Sequence, residues 1–195
     1  TEPERFDRHL DKLRRKGPEY KIDFVSICSP NYLHDAHMRL AMRNDAHAIC
    51  EKPLVLNPWN LDALSELERE TGKRIFTILQ LRLHPAIIAL REKIANGLAG
   101  KIYDVKLKYI TSRGKWYHIS WKGDIAHSGG IATNIGIHFF DMLTWIFGDV
   151  NENIVKAHEY DHAAGFLKLD KANVDWQLSI NADHLPESAR EQGKR

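Results

Sequence analysis

Three short apolar, β-rich runs, "IDFVSIC" (22–28), "AHAIC" (46–50) and "RIFTILQ" (74–80), alternate with two amphipathic helical stretches within the first 80 residues. No other feature constrains the fold as much. A strand-helix-strand-helix-strand order closes as a parallel sheet with right-handed crossovers. The first run is apolar on both parities, which predicts a strand covered on both faces, and it stops at Pro30-Asn31. Asn31 is placed to cap a helix carrying Leu33, Ala36, Leu40 and Ala41. The second helix has Asn57 as its expected N-cap, Pro58 in its first turn, a Leu61, Leu64, Leu67 stripe and Gly72 as its stop. Ahead of these, Phe6, Leu10 and Leu13 recur at helical spacing until Gly17-Pro18 ends a surface helix.

Beyond Pro85 the pattern changes. A helix with Ile87, Leu90 and Ile94 ends at Gly97, and "KIYDVKLKYIT" then alternates Tyr103, Val105, Leu107 and Tyr109 with Asp104, Lys106 and Lys108. Such alternation belongs to a strand with one buried face. "ANVDWQLSIN" repeats it, further strands are expected near 152–160 and 164–169, and one long helix is expected over 131–147 between Ser128-Gly129-Gly130 and Gly148. The predicted fold class is α/β, a partial doubly wound, Rossmann-like parallel sheet followed by an α+β domain with a largely antiparallel, open-faced sheet. The boundary is expected near residue 83, giving domains 1–83 and 84–195.

Of the 195 residues, 28 are basic and 26 acidic, so the net charge of +2 gives no reason to expect a nucleic-acid partner. No apolar run approaches the roughly 20 residues of a spanning helix, so no membrane partner is expected. Cys28 and Cys50 each fall in an apolar run read as a buried strand; two cysteines make no disulfide framework, and a reducing cytoplasm is the expected compartment.

Glu51, Lys52 and Pro53 follow the second strand directly, at the carboxyl end where open α/β sheets bind ligands. By itself this tripeptide is equally an ordinary salt-bridged turn. In "GGIATNIGIHFFD", Asn134 and His138 lie four apart on a helix, a face that Asp141 and Trp145 continue. A lone histidine there is more often a core group than a base. Two features favour the base: the preceding glycine pair permits close backbone approach to a ligand, and an amide-imidazole pair is an orienter-plus-base unit. His34 with His37, and His158 with His162, lack a second cluster at ligand spacing, so no metal is expected. "YITSRGKWYHISWKG" interleaves Arg113, Lys115 and Lys122 with Trp116, Tyr117 and Trp121, a mixture suited to a nucleotide-sugar, to single-stranded nucleic acid or to an oligomer contact. The near-neutral charge favours the small ligand.

Together, Ser29-Pro30-Asn31 with His34, Glu51-Lys52-Pro53, and Gly129-Gly130 through Asn134 and His138 to Asp141 resemble, in order and separation, the Gfo/Idh/MocA family of glucose-fructose oxidoreductases and inositol dehydrogenases. The stretch from Ser112 to Gly148 is most similar to its branch of bacterial UDP-N-acetylglucosaminuronate 3-dehydrogenases. The resemblance implies an NAD-dependent oxidation at C3 of a UDP-linked N-acetylated hexuronic acid, in surface-polysaccharide (O-antigen) biosynthesis, by a cytoplasmic homo-oligomer, a tetramer. It implies that Ser29, Pro30, Asn31, His34, Glu51 and Lys52 line the nicotinamide half of the cofactor. Lys52, His138 and Asn134 are then catalytic, and Arg113, Trp116, Tyr117, Trp121, Asn134 and His138 contact the sugar nucleotide. Many family members have Asp at the position of Asn134. No G-x-G-x-x-G occurs in these residues, so the first β-α-β unit is expected ahead of Thr1 and the chain reads as part of a longer protein. A cofactor-deficient sugar-nucleotide-binding or assembly module of the same fold is the alternative.

Overall fold

The computed structural model describes residues 3–190. Two compact units divide between Ile78 and Leu79, five residues before the expected boundary, because the turn 80–83 packs with the second unit's helices.

The first unit opens with α1 (Pro3–Lys16), whose Leu10 is buried. Strands β1 (Phe24–Ile27), β2 (His47–Cys50) and β3 (Ile75–Thr77) form a parallel sheet in the order β1-β2-β3, joined by α2 (His34–Arg43) and α3 (Asn60–Thr71). The sheet buries Val25, Ile27, Ala48 and Cys50 against Met38, Ala41 and Met42 of α2 and Leu64 and Leu67 of α3. Gly72 ends α3 in the left-handed conformation, as a helix-stopping glycine should. The α3 start differs from expectation. Asn57 Oδ1 accepts from Trp59 N (3.1 Å) in a turn that precedes the helix, which itself begins three residues later at Asn60.

The double-sided burial expected of β1 is also corrected. Its pattern alternates, with Phe24 54% exposed, Ser26 exposed and Cys28 exposed just beyond it. In the described residues α2 and α3 cover one face; the other carries a ring cluster of Phe24, His47 and Phe76 across the three strands.

In the second unit, α4 (Pro85–Ala95) leads to a mixed sheet of β4 (Tyr103–Ile110), β5 (Val150–His158), β6 (His162–Leu169) and β7 (Ala172–Ser179), ordered β4-β7-β6-β5. β5, β6 and β7 pair antiparallel, while β4 joins β7 in parallel. Between β4 and β5 lie three helices: α5 (Lys115–Ile119), α6 (Ile125–Ser128) and α7 (Ile137–Phe147). The expected single helix over 131–147 is present with one change: Ala132–Gly136 winds as a π-helix before α7 continues. Leu143, Ile146 and Phe147 pack with Val174, Trp176 and Leu178 in one core. Gly136 allows this approach, since a Cβ there would lie 2.7 Å from the Phe140 ring and 2.9 Å from Leu178 Cδ1. The opposite sheet face is polar, with Asp104, Lys106, Lys108 and Asp175 exposed and Lys156 paired to Asp175 at 2.9 Å. A short helix, α8 (Glu187–Arg190), follows β7.

Candidate active site

In the first unit, the parallel register brings the carboxyl ends of β1 and β2 side by side, since Ile27 pairs with Cys50. Ser29-Pro30-Asn31 and Glu51-Lys52-Pro53 therefore leave the same sheet edge, where parallel sheets bind ligands. Glu51 N donates to Ile27 O (2.9 Å), which extends the ladder into the second turn. His34 ties the turns together. Its ring lies with Nδ1 2.7 Å from Pro53 O and Nε2 2.9 Å from Ser29 O, and the residue is fully buried. Carbonyl oxygens only accept, so the ring N–H donates to one of them and the ring bridges both turns.

The ring of His34 therefore bridges the two turns from a fully buried position. Asn31 is 4% exposed and begins the one-turn 3-10 helix ahead of α2. Glu51 and Lys52 are partly exposed, as are Ser29 and Pro30. The Ser29 hydroxyl meets His37 Nδ1 at 2.9 Å, and burial, then the neighbouring His34, pulls the His37 imidazole below its ordinary range. Beside these turns an open groove of about 540 Å³ runs along β1, lined by Phe6 and His9 of α1, Val25, Ile27 and Cys28, and Leu40. The thiol of Cys50 faces the interior, and burial, with the Glu51 charge second, pushes it up to about 12.

In the second unit, Gly129 and Gly130 both have positive φ (80° and 74°), a backbone that admits the chain into the π-helical turn. Asn134 sits on this widened turn, 7% exposed, and His138 follows on the first turn of α7, partly buried. Single π turns inside α-helices recur at functional sites. Asn134 Nδ2 donates to the hydroxyl of Tyr117 (3.4 Å), which is 4% exposed on α5, and the guanidinium of Arg113 lies over that ring, 5.5 Å from its centroid. Arg113, Tyr117 and Asn134 are thus brought together, with His138 four residues further along the same helix. Trp116 is 55% exposed, and the Lys122 ammonium stands over both Trp116 (5.3 Å) and Trp121 (5.5 Å).

Asp141, the last position of the glycine-asparagine-histidine pattern, pairs with Arg82: Arg82 Nε donates to Oδ2 at 2.8 Å and Nη2 to Oδ1. Trp145 is covered by Arg91, 4.5 Å from its ring centroid, whose Nε also donates to the Trp145 carbonyl (3.1 Å). Sequence reasoning missed these two arginines, which precede their partners by more than 50 residues with no local spacing to connect them. It also missed Tyr160, whose hydroxyl meets His118 Nδ1 at 2.9 Å. Among the described residues no group of three or more His, Cys, Asp and Glu side chains is arranged to hold a metal ion, and no helix is long and apolar enough to cross a membrane.

The first unit is thus a parallel sheet whose turns leave its carboxyl edge, and the second a mixed sheet packed by a helix that carries an amide and an imidazole. Residues 4–79 match the family model "Oxidoreductase family, NAD-binding Rossmann fold" and residues 91–176 the model "Oxidoreductase family, C-terminal alpha/beta domain". The chain belongs to the Gfo/Idh/MocA oxidoreductase family. It is similar to the WlbA (WbpB) dehydrogenase from Thermus thermophilus, crystallised with NAD and UDP-GlcNAcA and also with NAD and alpha-ketoglutarate. Identity is 50% and the TM-score 0.92, over 100% of this chain and 62% of that one. D-glucoside 3-dehydrogenase of Escherichia coli is 29% identical over 72% of this chain and 40% of its own length. Myo-inositol 2-dehydrogenase of Thermotoga maritima is 30% identical over 76% and 46%. The chain thus spans less than half the length of these two curated relatives.

Proposed function

We propose that this chain is the dehydrogenase portion of an NAD-dependent enzyme that oxidises C3 of a UDP-linked N-acetylated hexuronic acid in surface-polysaccharide synthesis. What carries the reading is the 50% identity, along the whole chain, to a protein crystallised with both NAD and UDP-GlcNAcA. The geometry within each unit supports it.

The Ser29–Asn31 and Glu51–Pro53 turns share the ligand-binding edge of a parallel sheet, and the partly exposed side chains of Ser29, Pro30, Glu51 and Lys52 fit the ribose and nicotinamide end of NAD, with the buried Asn31 beside them. No G-x-G-x-x-G turn for the pyrophosphate occurs among these 195 residues. When bound, the cofactor supplies the acceptor for the hydride leaving C3. His138 takes the proton of the C3 hydroxyl, imidazole being a base that works near neutral pH with little tuning. Lys52 orients that hydroxyl and stabilises negative charge on its oxygen. Asn134, held by Tyr117, orients substrate, while Trp116 and Trp121 offer faces on which a uracil ring stacks and Arg113 meets an anionic group. The polar face of the second sheet suits self-association, with a homotetramer as the proposed assembly and the cytoplasm as its compartment.

The test is turnover of UDP-GlcNAcA with NAD, followed by reduced-nicotinamide absorbance. His138→Asn should lower turnover about 10²–10⁴-fold while NAD affinity changes little; equal turnover removes the assigned base. A chain that binds UDP-GlcNAcA but no nicotinamide cofactor is instead a sugar-nucleotide-binding module.

A further inference from the structure

Tyr160 stands on the short connection between β5 and β6, and that connection is fixed at several points. Glu159 N donates to His162 O (2.7 Å), Ile180 N to Asp161 O (2.9 Å) and Asn181 Nδ2 to Asp161 Oδ2 (2.8 Å), so the turn is fastened to the end of β7. From this platform the Tyr160 hydroxyl meets His118 Nδ1 at 2.9 Å, with the two ring centroids 5.7 Å apart. His118 belongs to α5, a helix of five residues. So short a helix has too few internal hydrogen bonds to hold its own shape. Its fixtures are side chains and close packing instead. Tyr117 is buried with its hydroxyl accepting from Asn134, the Ser120 hydroxyl donates to Tyr117 O (2.9 Å), and Gly123 lies so near that a Cβ on it would stand 2.5 Å from His118 O. The rings of Trp116, Tyr117, His118 and Tyr160 meet in succession, at 5.8, 5.7 and 5.7 Å.

We propose that His118 and Tyr160 are a positioning pair: through them the β5–β6 turn holds α5, so that α5 presents Trp116 to a ligand's base and keeps the Tyr117 hydroxyl at the Asn134 amide. The proposal rests on the sugar-nucleotide reading above. Neither residue touches the ligand; both act through α5. A hydroxyl donates or accepts, so the pair closes with either ring nitrogen protonated. Burial first, then Tyr117 and Asp161, raise the Tyr160 hydroxyl above its ordinary range, which keeps its proton in place. What the pair contributes is order. Trp116 is 55% exposed and Ile119 85%, so the outer surface of α5 has little packing to hold it. A helix already fixed loses less conformational freedom when a ligand stacks on it, and the difference appears as affinity.

The experiment compares wild type with Tyr160→Phe, His118→Phe, the double variant and His118→Asn, all in the full chain. Millisecond hydrogen–deuterium exchange follows the α5 amides, and calorimetry gives the dissociation constant for UDP-GlcNAcA. Tyr160→Phe keeps the ring and removes the hydroxyl. It should speed exchange across α5 and weaken UDP-GlcNAcA, each about 3–10-fold, as loss of one hydrogen bond does, with exchange in β6 and β7 unchanged. His118→Phe should do the same, and the double variant should be no worse than either single one. His118→Asn, which keeps a polar atom near the Nδ1 position, should recover part of the loss. A merely structural role would speed exchange in β6 and β7 as well and leave ligand affinity where it was. Unchanged UDP-GlcNAcA affinity in Tyr160→Phe, or single effects that add in full, overturns the positioning role and leaves the sugar-nucleotide reading intact. Failure of wild type to bind UDP-GlcNAcA overturns both.

Discussion

Replacing His34 by alanine tests whether one buried ring fixes the two turns that carry Ser29, Asn31, Glu51 and Lys52. The ring is fully buried and meets Pro53 O at 2.7 Å and Ser29 O at 2.9 Å. Losing the ring's N–H donor costs about 1 kcal/mol for its hydrogen bond, and stranding an interior carbonyl adds about 1–2 kcal/mol. The fully buried imidazole leaves a hole, which adds about 1–2 kcal/mol by comparison with other large-to-small core changes. The sum is about 3–5 kcal/mol. A 78-residue unit has roughly 4–12 kcal/mol of stability in total. With a urea m-value of about 1.5 kcal/mol/M, the unfolding midpoint of the first unit should fall by roughly 2–3 M. Amide exchange should rise in both turns together, because a single ring holds both. His34→Gln, which keeps one amide donor, should recover part of the loss. A midpoint shift below about 0.5 M, or faster exchange confined to one turn, refutes the reasoning.

Other perturbations follow from equally local geometry. Gly165→Ala would put a Cβ 2.4 Å from Ile154 O and 2.6 Å from the Trp176 ring. Backbone cannot yield as a flexible side chain does, so thermal unfolding should show a loss of about 2–3 kcal/mol. Hydrogen bonds from Lys21 and then Lys73 hold the Asp45 carboxyl down to about 2. A depressed carboxylate contributes stability that is present above its unfolded pKa of about 4 and lost as pH falls from 4 through 2. Asp45→Asn, tolerated at φ 64°, should therefore flatten the acid limb of a stability–pH curve in that window; the effect is modest and salt-sensitive because Asp45 is half exposed. A thiol reagent at neutral pH should modify Cys28 in the native chain and reach Cys50 only after unfolding, as mass spectrometry would count. Asp141→Asn should weaken the bidentate hold of Arg82 on α7, and a double-mutant cycle with Arg82→Ala should return a coupling of about 1–2 kcal/mol.

The strands were legible because their apolar periodicities are local: β4 and β7 alternate as their sequences do, and the three parallel strands lie inside the three β-rich runs. What escaped the sequence depends on partners far along the chain. A strand's apolar run says which side chains can be buried, whereas the neighbouring element decides which of them are; hence Cys28 and Phe24 are exposed where double-sided cover was expected. The parallel pairing of β4 with β7 joins Tyr103 to Ala172, a separation that alternation does not encode. The π turn at Ala132–Gly136 inserts its extra residue without a breaker such as proline, and the α5 turn at Lys115–Ile119 is too short for a period to emerge.

The same distinction separates the motif residues by task. A sequence pattern marks positions whose side chains have a fixed partner, and that partner is equally well the protein's own backbone or a ligand. His34 is held by Pro53 and Ser29, and Asp141 by Arg82, so both are accounted for inside their units and position other groups. Trp116 has the opposite balance: the Tyr117 edge and the Lys122 ammonium meet its ring, yet 55% of the residue stays exposed. Accounting for contacts inside the unit therefore ranks these positions by how much surface each still offers an outside partner. By that criterion His34 and Asp141 should show their effects in stability measurements, and Trp116 in ligand affinity.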